Sequence, residues 1–136
     1  MQRGAVQVEL QDAVATVWLD RAAQRNAFDE LLIDALTVAL RRHDADDSVR
    51  VVVLAGRGPA FCAGADLEWM RRMAAQDEAA NRADAARLAA LLQALDRMGK
   101  PTVARVQGAA LGGGTGLVAA CDIAIASEDA QFGMTE

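Results

Sequence analysis

The chain has 136 residues, 53% of them hydrophobic, and a formal net charge of −5; this is enough apolar material for one buried core and a single domain over 1–136. The acidic balance argues against nucleic acid or an anionic membrane as partner, because both select clustered Lys and Arg. No stretch approaches the roughly 18 unbroken apolar residues of a membrane span, and the opening MQRGAVQVELQD carries no signal or transit pattern, so a soluble, cytoplasmic protein is expected.

Along the chain, 6–11 and 14–19 alternate apolar and polar residues around a two-residue break at Asp12 and Ala13, which predicts a β-hairpin. After a polar loop, Asp29 can cap a helix whose Leu32, Ile33, Leu36 and Leu40 share one face and which ends near Asp44. His43, in its last turn behind Arg41 and Arg42, is expected to be exposed and favoured there by the helix dipole. The run Val51 to Leu54, ending in Gly56, predicts a strand buried on both faces and with it a parallel sheet.

A glycine-rich segment, GRGPAFCAGAD, leads into a second helical region in which Leu88, Leu91, Leu92, Leu95 and Met98 form a buried stripe ahead of Gly99 and Pro101. Then come a strand at 102–106, a turn at Gly108, the run Gly112-Gly113-Gly114, a short buried helix at 117–120, a strand at 122–126, a turn at 127–129 and a further strand from Gln131. Strand, glycine loop and helix thus occur twice in an α/β pattern.

The inventory of reactive side chains narrows the chemistry. The chain has one His, no Tyr, and only Ser48 and Ser127 as serines, neither in a nucleophile elbow, so proton transfer falls to carboxylates. Cys62 and Cys121 lie far apart with no CxxC, which indicates reduced thiols and no zinc site. Both glycine loops, GPAFCAGAD and GAALGGGTG, lead into helices and can aim free amide N–H groups and a helix dipole at one region, the requirement for holding an oxyanion. Tight β-to-α turns would explain the same glycines. Neither loop is GxGxxG, since Phe61 and Leu117 stand at the third glycine positions, and no GxxxxGK exists, so a nucleotide site is disfavoured.

Four segments in order, AFCAGADL (60–67), GAALGGGTGL (108–117), ACDIAIA (120–126) and AQFGMTE (130–136), closely resemble the enoyl-CoA hydratase/isomerase, or crotonase, family; LDRAAQRNAF (19–28) resembles its first CoA-contacting loop. The resemblance implies the N-terminal part of a crotonase-like spiral of β-β-α units, without the C-terminal helices that close the pocket and form trimers in relatives. It implies acyl-CoA as the ligand, no separate cofactor, and a homo-oligomer, a trimer or dimer of trimers. Its oxyanion hole would be the backbone N–H of Ala65 and Gly113. Ala63 and Ala65 would line the adenine pocket, Arg21 and Arg25 the wall along pantetheine and phosphates, and Asp66 and Leu67 would complete the CoA-binding set, although Asp66 also reads as a helix cap.

The family's first catalytic glutamate falls on Gly116 and its second on Glu136, leaving Glu136 as the one candidate acid/base. Hydration of an α,β-unsaturated acyl-CoA, in fatty-acid or leucine/terpene catabolism, is the implied reaction, with GADLEWM and GLVAACDIAIA most like hydratases of methylglutaconyl-CoA or isohexenylglutaconyl-CoA from leucine and terpene breakdown. Δ3,Δ2-enoyl-CoA isomerisation by the same base and a non-catalytic acyl-CoA-binding fragment stay open. Glu68 is expected to be solvated, Asp122 to bond nearby backbone, and Trp69, Met70 and Met73 to line an acyl path or simply pack inward.

Overall fold

A computed structural model describes residues 4–134. Its largest element is a five-stranded sheet in the order β1-β2-β3-β4-β6. β1 (Val6–Gln11) and β2 (Val14–Leu19) form the expected antiparallel hairpin, with Asp12 taking the positive φ its tight turn requires. β2, β3 (Val51–Gly56), β4 (Thr102–Val106) and β6 (Ile123–Ala126) then run parallel, the last three each reached by a crossover that contains a helix.

Those helices cover one face of the sheet. α1 (Glu30–Asp44) and α3 (Glu78–Asp96) pack there, and Ala15, Val17, Leu19, Val52, Leu54, Ala104 and Val106 meet Leu32, Ile33, Leu36, Leu40, Leu91 and Leu95 in a single core. Each fully buried Leu or Ile contributes about 1.5–3 kcal/mol, so this layer is the main source of stability. The remaining stripe residues, Leu88, Leu92 and Met98, are only partly buried against it.

The other face is where expectation and structure part. Val51 and Val53 are half-buried, so β3 is covered on one side rather than two. Among the described residues no helix lies over that face. Its cover consists of neighbouring side chains such as Trp18 and Arg105, and on β6 Ile123 and Ile125 are more than half exposed.

Three other details differ from the sequence reading. The second helical region is two helices, α2 (Leu67–Ala74) and α3, because Asp77 accepts from the Ala80 N–H and starts a new one. The last helix, α4 (Gly113–Ala120), begins four residues earlier than expected, inside the glycine run, and buries only Gly114 and Leu117. His43 is buried, not exposed: its Nδ1 lies 2.8 Å from the Ala39 carbonyl oxygen. The 99–101 segment folds back over that helix end, with Lys100 Nζ donating to the His43 and Asp46 carbonyls and the Gly99 N–H donating to Asp44.

β5 (Ala109–Leu111) and β7 (Gln131–Gly133) form a second, small parallel sheet. Repetition of strand, strand and helix around two sheets is the spiral of β-β-α units that the motifs implied. No helix among the described residues is long and apolar enough to cross a membrane.

Candidate active site

The two glycine loops converge because the chain pairs them directly. Cys62 donates its N–H to the Ala109 carbonyl at 3.1 Å, and Leu111 donates to the Cys62 carbonyl at 3.0 Å, closing a parallel bridge between the loop after β3 and strand β5. Gly64, at φ +94°, lies so close to this pairing that a Cβ would come 2.9 Å from the Leu111 carbonyl oxygen. Both its backbone and its surroundings require glycine.

Each loop presents a free donor. The Phe28 N–H bonds to the Gly64 carbonyl and the Asp66 N–H to the Phe28 carbonyl, both at 2.7 Å. Ala65 therefore turns its own N–H away from Phe28, and that N–H has no acceptor among the described residues. Across the gap, Gly112 at φ 53° and ψ −119° starts α4 without any side-chain cap. The Thr115 and Gly116 N–H groups return to the Gly112 carbonyl, which leaves Gly113 at an uncapped first turn, where the positive end of the helix dipole emerges. The Phe28 ring packs directly on Gly113, since any Cβ there would overlap it. Phe28 thus touches both loops.

The proposed CoA-binding residues divide into two groups. Ala63, Ala65, Asp66 and Leu67 line one cleft of about 520 Å3, together with Gln24 and Arg71. Arg25 lies exposed at φ 52°, with its carbonyl accepting from the Ala63 N–H. Arg21 is pulled inward: its guanidinium donates to the Ala27 carbonyl at 2.6 Å and lies 3.4 Å from both Asp29 and Asp66. Asp66 does act as the cap of α2, accepting from the Trp69 N–H at 3.1 Å, so Arg21 ties the starts of α1 and α2 to the loop between β2 and α1.

One supporting residue escaped the sequence reading. Asn26, fully buried at φ 57°, accepts from the Arg21 N–H and donates from Nδ2 to the Arg57, Ala60 and Phe61 carbonyls at 2.9–3.2 Å. It holds the base of the first glycine loop. Its one visible signal is its type, because Asn tolerates left-handed backbone better than other non-glycine residues.

Glu136 lies outside the described residues. Gly116 is half-buried on α4, and a Cβ there would meet only Leu92 of α3, at 3.9 Å. Cys62 sits fully buried beneath the loops, and burial pushes its thiol up to about 11 despite the Gly64 N–H that favours the thiolate. That thiol is a poor nucleophile at neutral pH. Of the flanking α2 residues, Trp69 is buried, Met73 is partly packed against the core, and Met70 is exposed. Glu68 is exposed and pairs with Arg71, while Asp122 accepts from the Thr102 N–H as expected.

Comparison with known proteins places this arrangement. The sequence model for enoyl-CoA hydratase/isomerase matches residues 9–136. The 2,3-dehydroadipyl-CoA hydratase of Escherichia coli is 40% identical over 130 residues, covering 95% of this chain and 49% of that protein. A 4-chlorobenzoyl coenzyme A dehalogenase of Arthrobacter is 40% identical over 129 residues, covering 93% and 46%. The crystal structure of an enoyl-CoA hydratase from Shewanella pealeana superposes with a TM-score of 0.92 at 43% identity, covering 94% of this chain and 48% of that one. The chain spans about half the length of the curated relatives it matches.

Proposed function

The chain belongs to the enoyl-CoA hydratase/isomerase family, and from that premise we propose that it binds an acyl-CoA thioester and stabilises its enolate in the reversible hydration of an α,β-unsaturated acyl group. The observation that carries this reading is the pair of loops bridged at Cys62 and Ala110, each with an amide free to donate, at Ala65 and at Gly113. The thioester oxygen accepts from both N–H groups. As water adds to the β-carbon, negative charge moves onto that oxygen, and the two donors meet it without reorganising. Loss of one such donor typically costs about 2.7–4 kcal/mol of barrier.

Glu136 is the acid/base of this proposal. It takes a proton from the attacking water and returns one to the α-carbon, so one carboxylate serves both ends of the addition. Ala63 and Ala65 line the adenine pocket with Asp66 and Leu67 beside them; exposed Arg25 meets the phosphates, and Arg21 braces that wall. The acyl group is of the branched, carboxylate-bearing glutaconyl type met in leucine and terpene catabolism, the enzyme is cytoplasmic, and identical subunits complete the pocket. Gly116 favours one second reading: with no carboxylate there, the same Glu136 can shuttle a proton between C2 and C4 of a 3-enoyl thioester.

The test follows ultraviolet absorbance of the conjugated enoyl thioester, with crotonyl-CoA and 3-methylglutaconyl-CoA, on the protein and on Glu136→Gln. Loss of absorbance that disappears in the variant supports hydration. Unchanged absorbance with CoA thioester still bound sinks it in favour of a binding role, and a rise in absorbance from a 3-enoyl-CoA identifies the isomerase.

A further inference from the structure

A second cleft, of about 530 Å3, opens at the carboxyl ends of β2, β3, β4 and β6 and shares no lining residue with the cleft beside Ala65. Carboxyl ends of parallel strands are where open α/β sheets receive ligands. Trp18, Ala55 and Arg105 stand in one row across β2, β3 and β4, with the small Ala55 buried between the two larger side chains. Arg57, just past β3, holds its guanidinium carbon 3.8 Å from the Trp18 ring centroid, and that of Arg105 lies 5.0 Å from it. Two cations share one indole.

Their charge is poorly compensated. Arg57 pairs with Glu9 at 2.9 Å, but Glu9 is 61% exposed, and such a pair contributes little and exchanges easily. Arg105 has no acidic partner among the described residues. The Trp18 indole N–H is buried without a hydrogen-bond partner among the described residues, as is that of Trp69. Gln107 donates its amide to the Gly56 and Gly58 carbonyls at 2.7 and 2.9 Å, which keeps both from repelling an incoming anion. Ser127, which also lines the cleft, donates its hydroxyl to Asp129, so Glu9 is the carboxylate that competes for Arg57.

We propose that this cleft is a binding site for a small oxyanion, a phosphate or a carboxylate, held by Arg105 and Arg57 over Trp18. The planar guanidinium fork suits both ligands, because it meets two oxygens at once. The site owes nothing to thioester chemistry and stands or falls independently of the hydratase reading.

The chain contains two tryptophans, so Trp69→Phe isolates Trp18 fluorescence; the Trp18 indole N–H resonance of the unmodified chain gives the same readout without that substitution. Inorganic phosphate and succinate are titrated at ionic strength held constant with sodium chloride. A saturable response to either is expected, weakened tenfold or more by Arg105→Gln and strengthened by Glu9→Gln, which frees Arg57. A response to phosphate alone or to succinate alone assigns the ligand class. No saturable response, or one indifferent to Arg105→Gln, overturns the proposal.

Discussion

Asn26 concentrates in one buried side chain the hydrogen bonding of a whole loop base, with three carbonyls and one N–H among its partners. Asn26→Ala leaves those groups short of partners and puts a Cβ-bearing residue without a local side-chain bond into left-handed backbone. It should lower stability by on the order of 3 kcal/mol, read from guanidinium midpoints. Asn26→Asp should cost at least as much at neutral pH, since a carboxylate would face three carbonyl oxygens. The thiols make a separate prediction. Burial is the main cause that raises Cys62 and Cys121, each to about 11, while the unfolded chain releases these protons near pH 8.5 to 9. Their contribution is therefore complete below about pH 8.5 and is lost as pH rises toward 11. Unfolding midpoints measured across this window should fall less steeply in Cys62→Ala/Cys121→Ala than in the parent. The capping aspartates Asp29 and Asp66 were legible in the sequence because their partners lie three residues away. Asn26 and the burial of His43 were not, because their environments are built by chain 31 to 57 residues distant.

Helices and strands were readable wherever periodicity ran for a full turn or a full alternation. The hairpin, α1 and β4 fall where the pattern placed them. β5 was missed because three residues, Ala-Ala-Leu, carry no alternation and pair only through Cys62 and β7. The division between α2 and α3 hung on a single cap, Asp77. The cap of α2 gives the prediction at this scale. Asp66→Ala removes the acceptor for the Trp69 N–H and should cost about 1 kcal/mol, whereas Asp66→Asn, which keeps a capping oxygen, should retain most of that. A thermal melt comparing the two separates the cap from the 3.4 Å ion pair with Arg21, which both substitutions remove.

For the molecule as a whole, the fold follows from one asymmetry: helices cover one face of the sheet, and the other carries Trp18, Arg105, Ile123 and Ile125. Continuous apolar runs such as Val51 to Leu54 gave no warning of this, since period-two burial is hidden when the outward residues are also apolar. β6 is apolar, exposed along its whole length and at the end of the sheet order, a template for pairing or packing with another copy. Sedimentation should show concentration-dependent self-association that Ile123→Lys suppresses; an unchanged sedimentation coefficient across dilution would refute it. Between the two glycine loops, the ring of Phe28 is a shim, fastened to one through its backbone and bearing on the other with its edge. A wedge of fixed thickness makes the loops the jaws of one caliper, so their gap is a gauge setting stored at position 28 and inherited equally by both, and trimming that ring to Leu would reset it without touching either glycine.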